Sequence, residues 1–145
     1  MYHVFEHYLA GERVYTQTMM PICEKYGLAP TELTVLMFLA NNPALDTASD
    51  IVKCRSLAKS HVSLSVGALE ARGLLTKAYQ NGNRRSIHLH LTERAAPIVN
   101  DGRKAQASFV ELLFRDISMD ERDILTKILQ KIDQNMKASD RGEKN

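Results

Sequence analysis

Lys59, Ser60, His61 and Ser63 place one cation and three hydrogen-bonding side chains within five residues, and an apolar Leu64 follows at once. Hydroxyl and imidazole groups can bond base edges or phosphates, while a leucine beside them offers contact only to something apolar, such as a thymine methyl. Solvated surface is the plainer reading of Ser60 and Ser63, so charge over a longer stretch has to decide. From Lys53 to Arg85 the chain carries seven basic residues (Lys53, Arg55, Lys59, Arg72, Lys77, Arg84 and Arg85) against one acid, Glu70, a net of +6. The remainder has 12 basic and 16 acidic residues, a net of −4. A basic middle in an otherwise acidic chain is the electrostatic footprint of nucleic-acid binding. Lys59, Lys77 and Arg84 are candidates for phosphate contacts, which position a protein without reading sequence.

Other chemistry has less support. His3 and His7 have an i, i+4 spacing that can hold a metal, and His88 and His90 share one face of a strand, but neither pair has an evident third ligand. No metal and no cofactor is expected. Cys23 and Cys54 are too few for a disulfide framework. Cys23 is expected to be buried rather than a thiol sensor, and Cys54 to belong to the core of a short helix. There is no Gly-rich phosphate loop, zinc-spaced Cys/His cluster or nucleophile motif, so an enzyme is not expected.

The elements that must position these residues follow from periodicity. Val4, Tyr8, Gly11, Tyr15, Met19, Ile22 and Tyr26 form one stripe of a helix over the first 26 residues, closed by Gly27. A second helix spans about Thr31 to Asn41, so apolar that it must be buried on most sides. Thr47-Ala48-Ser49-Asp50 has the form of a capping box opening a short helix to about Cys54. After the connection Arg55-Ser56-Leu57, another helix runs from about Ala58 to Ala71, stopped by Gly73. Two helices joined by so short a turn have helix-turn-helix spacing. Val62, Val66 and Leu69 should face inward, leaving Ser60, Leu64 and Gly67 outward with His61 and Ser63 on the flanks.

Beyond Gly73 the period changes to two. Leu74 to Tyr79 and Ser86 to Leu91 read as strands around a basic tip with Asn81-Gly82, and both two-residue and longer loops remain open. Thr92 is expected to cap a helix from Glu93 to about Phe114, with Pro97 costing one backbone hydrogen bond. Ser118 to Glu121 is a second capping box. It precedes a helix with Ile124, Leu125, Ile128, Leu129, Ile132 and Met136 on one face. The segment 139–145 is expected to be a disordered tail. The longest apolar run, Val35 to Ala40, is far too short to cross a bilayer, and the N-terminus lacks a secretory layout, so a cytoplasmic location is expected.

The stretch Asp50 to Leu74, DIVKCRSLAKSHVSLSVGALEARGL, resembles the MarR family of bacterial regulators. The matching residues are Leu57, Val62, Val66, Leu69, Glu70, Arg72, Gly73 and Leu74. Asn83-Arg84-Arg85-Ser86 leading to Leu91-Thr92-Glu93 resembles the family's wing, and the last helix, opening Ser118-Met119-Asp120-Glu121-Arg122, also looks like the family's. There are departures: Asn83 replaces the usual wing aspartate, Ala29-Pro30 stands where a capping Ser or Thr is common, and Leu64 and Gly67 occupy positions often polar or charged.

The resemblance implies a mainly α fold with a small β-hairpin wing, a winged helix-turn-helix flanked by N- and C-terminal dimerisation helices. A single domain over 1–138 is expected, with about 1–26 and 93–138 dimerising and about 30–92 forming the winged helix-turn-helix. The implied function is sequence-specific recognition of double-stranded DNA by a homodimer on a pseudo-palindromic operator, as a transcriptional repressor released by a small-molecule effector. Arg85 matches an arginine that enters the minor groove in relatives. Tyr8, Tyr15, Met19 and Phe38 are the residues to test for an effector pocket. The alternative is a winged-helix module that binds protein instead of specific DNA.

Overall fold

The computed structural model describes residues 3–79 and 87–142, with side chains placed between 6 and 139 of that range. Its elements are α1 (His3–Tyr26), α2 (Pro30–Asn41), α3 (Ala48–Arg55), α4 (Lys59–Ala71), β1 (Leu75–Tyr79), β2 (Ile87–Leu91), α5 (Ala96–Leu113) and α6 (Met119–Gly142). The chain falls into two compact units, Met1–Phe109 and Val110–Asn145.

In the first unit two helices end by the same device. Gly27 and Gly73 adopt φ of +60° and +68°, a conformation that favours glycine. At α1 the Leu28 amide donates to the Cys23 carbonyl and the Gly27 amide to the Glu24 carbonyl. At α4 Leu74 donates to Leu69 and Gly73 to Glu70. This pattern satisfies carbonyls left over at a helix end and turns the next leucine inward. Leu28 and Leu74 are both buried. Arg72 joins the two ends by donating to the Tyr26 and Gly27 carbonyls at 2.7 and 2.8 Å.

Helix α2 lies at the centre of the core, with Leu33 and Val35 through Leu39 all buried. Ile51 of α3, Val62, Val66 and Leu69 of α4, Leu75 of β1, Leu89 of β2, and Ile98 and Val99 of α5 complete it. The antiparallel hairpin pairs Leu75 with Leu91, Lys77 with Leu89 and Tyr79 with Ile87. Its second strand is also tied to the loop ahead of α3. The Leu89 amide donates to the Asp46 carbonyl, Thr47 bridges His88, and His88 Nδ1 lies 2.7 Å from Asp46 Oδ1.

Several expectations need correction. The Thr92 hydroxyl does not cap a helix. It donates to the Gly73 carbonyl at 2.7 Å, and a single 3₁₀ turn, Glu93–Ala95, precedes α5. Pro97 therefore sits in the first turn of α5, where its missing N–H has no intrahelical partner to lose. Pro21 lies within α1 without ending it. Cys54 is exposed because the inward stripe of α3 runs through Ala48, Ile51 and Val52, and Cys54 lies roughly a third of a turn off that line. The break expected at Ser139 is absent: α6 continues to Gly142. Residues 143–145 lie outside the described range.

In the second unit the Ser118 amide donates to Glu121 and the Glu121 amide to the Ser118 hydroxyl, which is the expected capping box. Arg122 donates to the Phe114 and Ile117 carbonyls and stacks over the Phe114 ring. Ile124, Leu125, Ile128, Leu129, Ile132 and Met136 are all exposed along one face of α6.

Candidate nucleic-acid interface

Helices α3 and α4 are joined by Ser56-Leu57-Ala58, with Ser56 in the left-handed region at φ +50°. That sharp reversal allows a three-residue turn, and Leu57 anchors it against the core. The α3 side is secured by its capping box, in which the Thr47 hydroxyl accepts from the Asp50 amide and the Asp50 carboxylate accepts from the Thr47 amide. The Thr47 hydroxyl also donates to the same carboxylate. This bond, ahead of the backbone one, holds the Asp50 pKa below its ordinary value.

The rotation of α4 is set by what it buries. Val62, Ser65, Val66 and Leu69 face the core. Lys59, Ser60, His61, Ser63 and Leu64 are all exposed, with Leu64 at 73%. The structure thus brings five of the eight predicted contact residues onto one end of one helix. Ala58 supplies no side-chain cap and the first turn holds no acid. Backbone N–H groups there, with Lys59 beside them, suit an anion.

The other predicted cations are distributed differently. Lys77 pairs with Glu70 at 2.7 Å. Arg72 is bound to the end of α1 and lies 3.9 Å from Glu32. The Arg55 guanidinium stands 5.5 Å from the centre of the Phe38 ring. Lys53 and Lys59 are exposed. Arg84 and Arg85, with Asn83, lie outside the described residues.

Residues 26–86 match the family model of the MarR family. That segment holds α2, α3, α4 and β1, the helices and first strand of a winged helix. The fold is shared with a MarR protein from Peptoclostridium difficile, at a TM-score of 0.77 with 16% identity over 96% of this chain and 90% of that one. A MarR transcriptional regulator from Methanosarcina mazei Go1 also gives 0.77, with 18% identity over 95% and 99%. BpsR of Bordetella bronchiseptica, whose DNA binding is regulated by 6-hydroxynicotinic acid, gives 0.69, with 18% identity over 90% and 98%.

The Asp46–His88 contact and the Arg72 bridge are what sequence reasoning missed. Both join residues more than 40 positions apart, and neither leaves a local pattern. Of the residues considered for an effector pocket, Met19 and Phe38 belong to the core, Tyr8 is 69% exposed, and the hydroxyl of the half-buried Tyr15 accepts from Gln106. A shallow cleft of about 260 Å³ is lined by six other residues, among them Leu39, Pro43, Asp46 and His90. Cys23 is buried, and that burial pushes its thiol pKa up. Among the described residues no three His, Cys, Asp or Glu side chains are grouped to hold a metal, and no helix is long and apolar enough to cross a membrane.

Proposed function

We propose that this chain is a sequence-specific regulator of transcription that binds double-stranded DNA as a homodimer, with α4 in the major groove. The observation that carries the reading is the polarity of α4: an apolar face in the core and Lys59, Ser60, His61, Ser63 and Leu64 in solvent at its N-terminal end. That end of a recognition helix is the part that meets base edges. Arg84 and Arg85 at the wing tip would add a phosphate contact and a minor-groove contact. Lys77 would reach phosphate only by leaving Glu70.

Dimerisation rests on α6, where six large apolar side chains share one exposed face. Burying them against a second copy removes the unfavourable contact with water. A two-fold dimer presents two copies of α4 and calls for a pseudo-palindromic operator. The same reading makes the protein a cytoplasmic repressor released by a small molecule, with the single-domain arrangement over 1–138 that the resemblance implies. BpsR supplies the precedent for release, and Tyr8, Tyr15, Met19 and Phe38 remain the residues proposed for the pocket.

Fluorescence anisotropy tests the reading on the duplex upstream of the chain's own gene, against an unrelated duplex, at two salt concentrations. Tight binding, clear preference and steep loss at higher salt are expected. No binding even at low salt would sink it and favour a protein-binding module.

A further inference from the structure

We propose that Leu64 determines specificity by reading the C5-methyl group of a thymine in the major groove. The inference rests on the DNA-binding reading above and adds the chemistry of one recognised base. Val62, Ser65, Val66 and Leu69 fix the rotation of α4. That rotation leaves Leu64 73% exposed, one turn beyond Ser60 and His61. On its other side is Gly67, where an added side chain would meet nothing within 4 Å. Leu64 therefore projects with room around it, and a base edge can approach closely.

The surrounding chemistry narrows what Leu64 can read. Between Lys59 and Ala71, α4 contains no Arg, Asn or Gln for bidentate bonds to guanine or adenine, and its one lysine, Lys59, stands at the first helical position, where it suits phosphate. Ser60 and Ser63 hydrogen-bond too permissively to discriminate strongly. A leucine against adenine N6 or cytosine N4 would strip water from a donor and return no partner, which is unfavourable. Against thymine it covers a methyl group, the one apolar feature of the major-groove edge. Leu64 thus both attracts one base and rejects the donors.

The test begins with in vitro selection by the full chain from a random duplex pool of about 30 base pairs, long enough for two half-sites a helical turn apart. Each thymine of the selected duplex is then replaced by uracil, which removes the methyl and keeps every hydrogen bond. For the wild type, one thymine per half-site should lose about fourfold in affinity on replacement, the effect of one buried methyl group. Leu64→Ala should bind thymine and uracil duplexes alike at that position, and Leu64→Met, which keeps an apolar end, should restore the difference. Thermal melting of both variants should match the wild type, because the site is exposed. A wild type indifferent to every uracil would overturn the proposal, as would a loss of equal size persisting in Leu64→Ala. Those results would leave DNA binding intact. Failure to select any duplex would instead remove the DNA-binding reading, and this inference with it.

Discussion

Arg72 lies within the basic stretch that points to DNA, yet its guanidinium is bound to the protein itself. It donates to the Tyr26 and Gly27 carbonyls at 2.7 and 2.8 Å. Both belong to the end of α1, where the helix dipole places partial negative charge. Hydrogen bonds from a charged donor contribute about 1.5–3 kcal/mol each when well buried. The Arg72 side chain is 41% exposed, so water can replace part of what is lost. We therefore expect Arg72→Ala to cost about 1–2 kcal/mol in all, or about 3–8 °C in Tm. Arg72→Lys should recover only part of this, since an ammonium lacks the planar fork that reaches two carbonyls. Urea and thermal unfolding at one fixed protein concentration measure the loss, because a dimer's midpoint depends on concentration. Anisotropy against salt supplies the contrast: Arg72→Ala should keep the wild-type slope, whereas Lys59→Ala, which removes one contact from each half of the dimer, should flatten it by about two and leave Tm unchanged. An unchanged Tm with a flattened slope in Arg72→Ala would refute the reasoning and return Arg72 to the DNA interface.

Three further outcomes follow from side-chain placement. The Lys25 ammonium, and then the Tyr26 hydroxyl, hold the Asp101 carboxyl below its ordinary pKa. A depressed folded pKa gives stability that is complete above the unfolded value, near 3.9, and disappears as pH falls through the folded one. The gap in urea midpoint between wild type and Asp101→Asn should therefore close as pH falls from about 6 to about 2, and a constant gap would count against the pairing. Native protein treated with a disulfide reagent should release one fast equivalent per chain from exposed Cys54, and Cys23 should react only on unfolding. A second fast thiol would show that Cys23 is accessible. Arg85→Ala should weaken specific binding more than Lys77→Ala, because Lys77 is already paired with Glu70; equal losses would argue against a minor-groove role.

Local periodicity carried most of the fold. Val62, Val66 and Leu69 recur at helical spacing and are buried together, and Gly27 and Gly73 end their helices because left-handed backbone favours glycine. Periodicity says which residues share a stripe but not which distant group will claim a polar atom. The Thr92 hydroxyl suits a helix cap, yet the Gly73 carbonyl, 19 residues away, takes it. Cys54 fails for a related reason: on a helix of eight residues a small error in where the buried stripe begins moves a side chain from core to solvent. The outward face of α4 was legible because its inward face is so apolar.

Net charge along the sequence overstates the cations that can meet DNA, and the geometry of their partners gives the correction a number. Seven cations lie between Lys53 and Arg85. If all seven met phosphate in each half of a dimer, log K against log salt would fall with a slope of about −13. The fold assigns three of them elsewhere: Arg72 to the α1 carbonyls, Lys77 to Glu70 and Arg55 to the Phe38 ring. Lys53, Lys59 and the two wing arginines remain, at most four per chain, which lowers the expected slope to about −7. Anisotropy titrations across several salt concentrations separate these values directly. A slope near −13 would mean that paired cations abandon their partners to reach the DNA backbone. The lower slope would mean that the fold uses almost half of its basic stretch to hold itself together, leaving discrimination to the few groups on α4 and the wing tip.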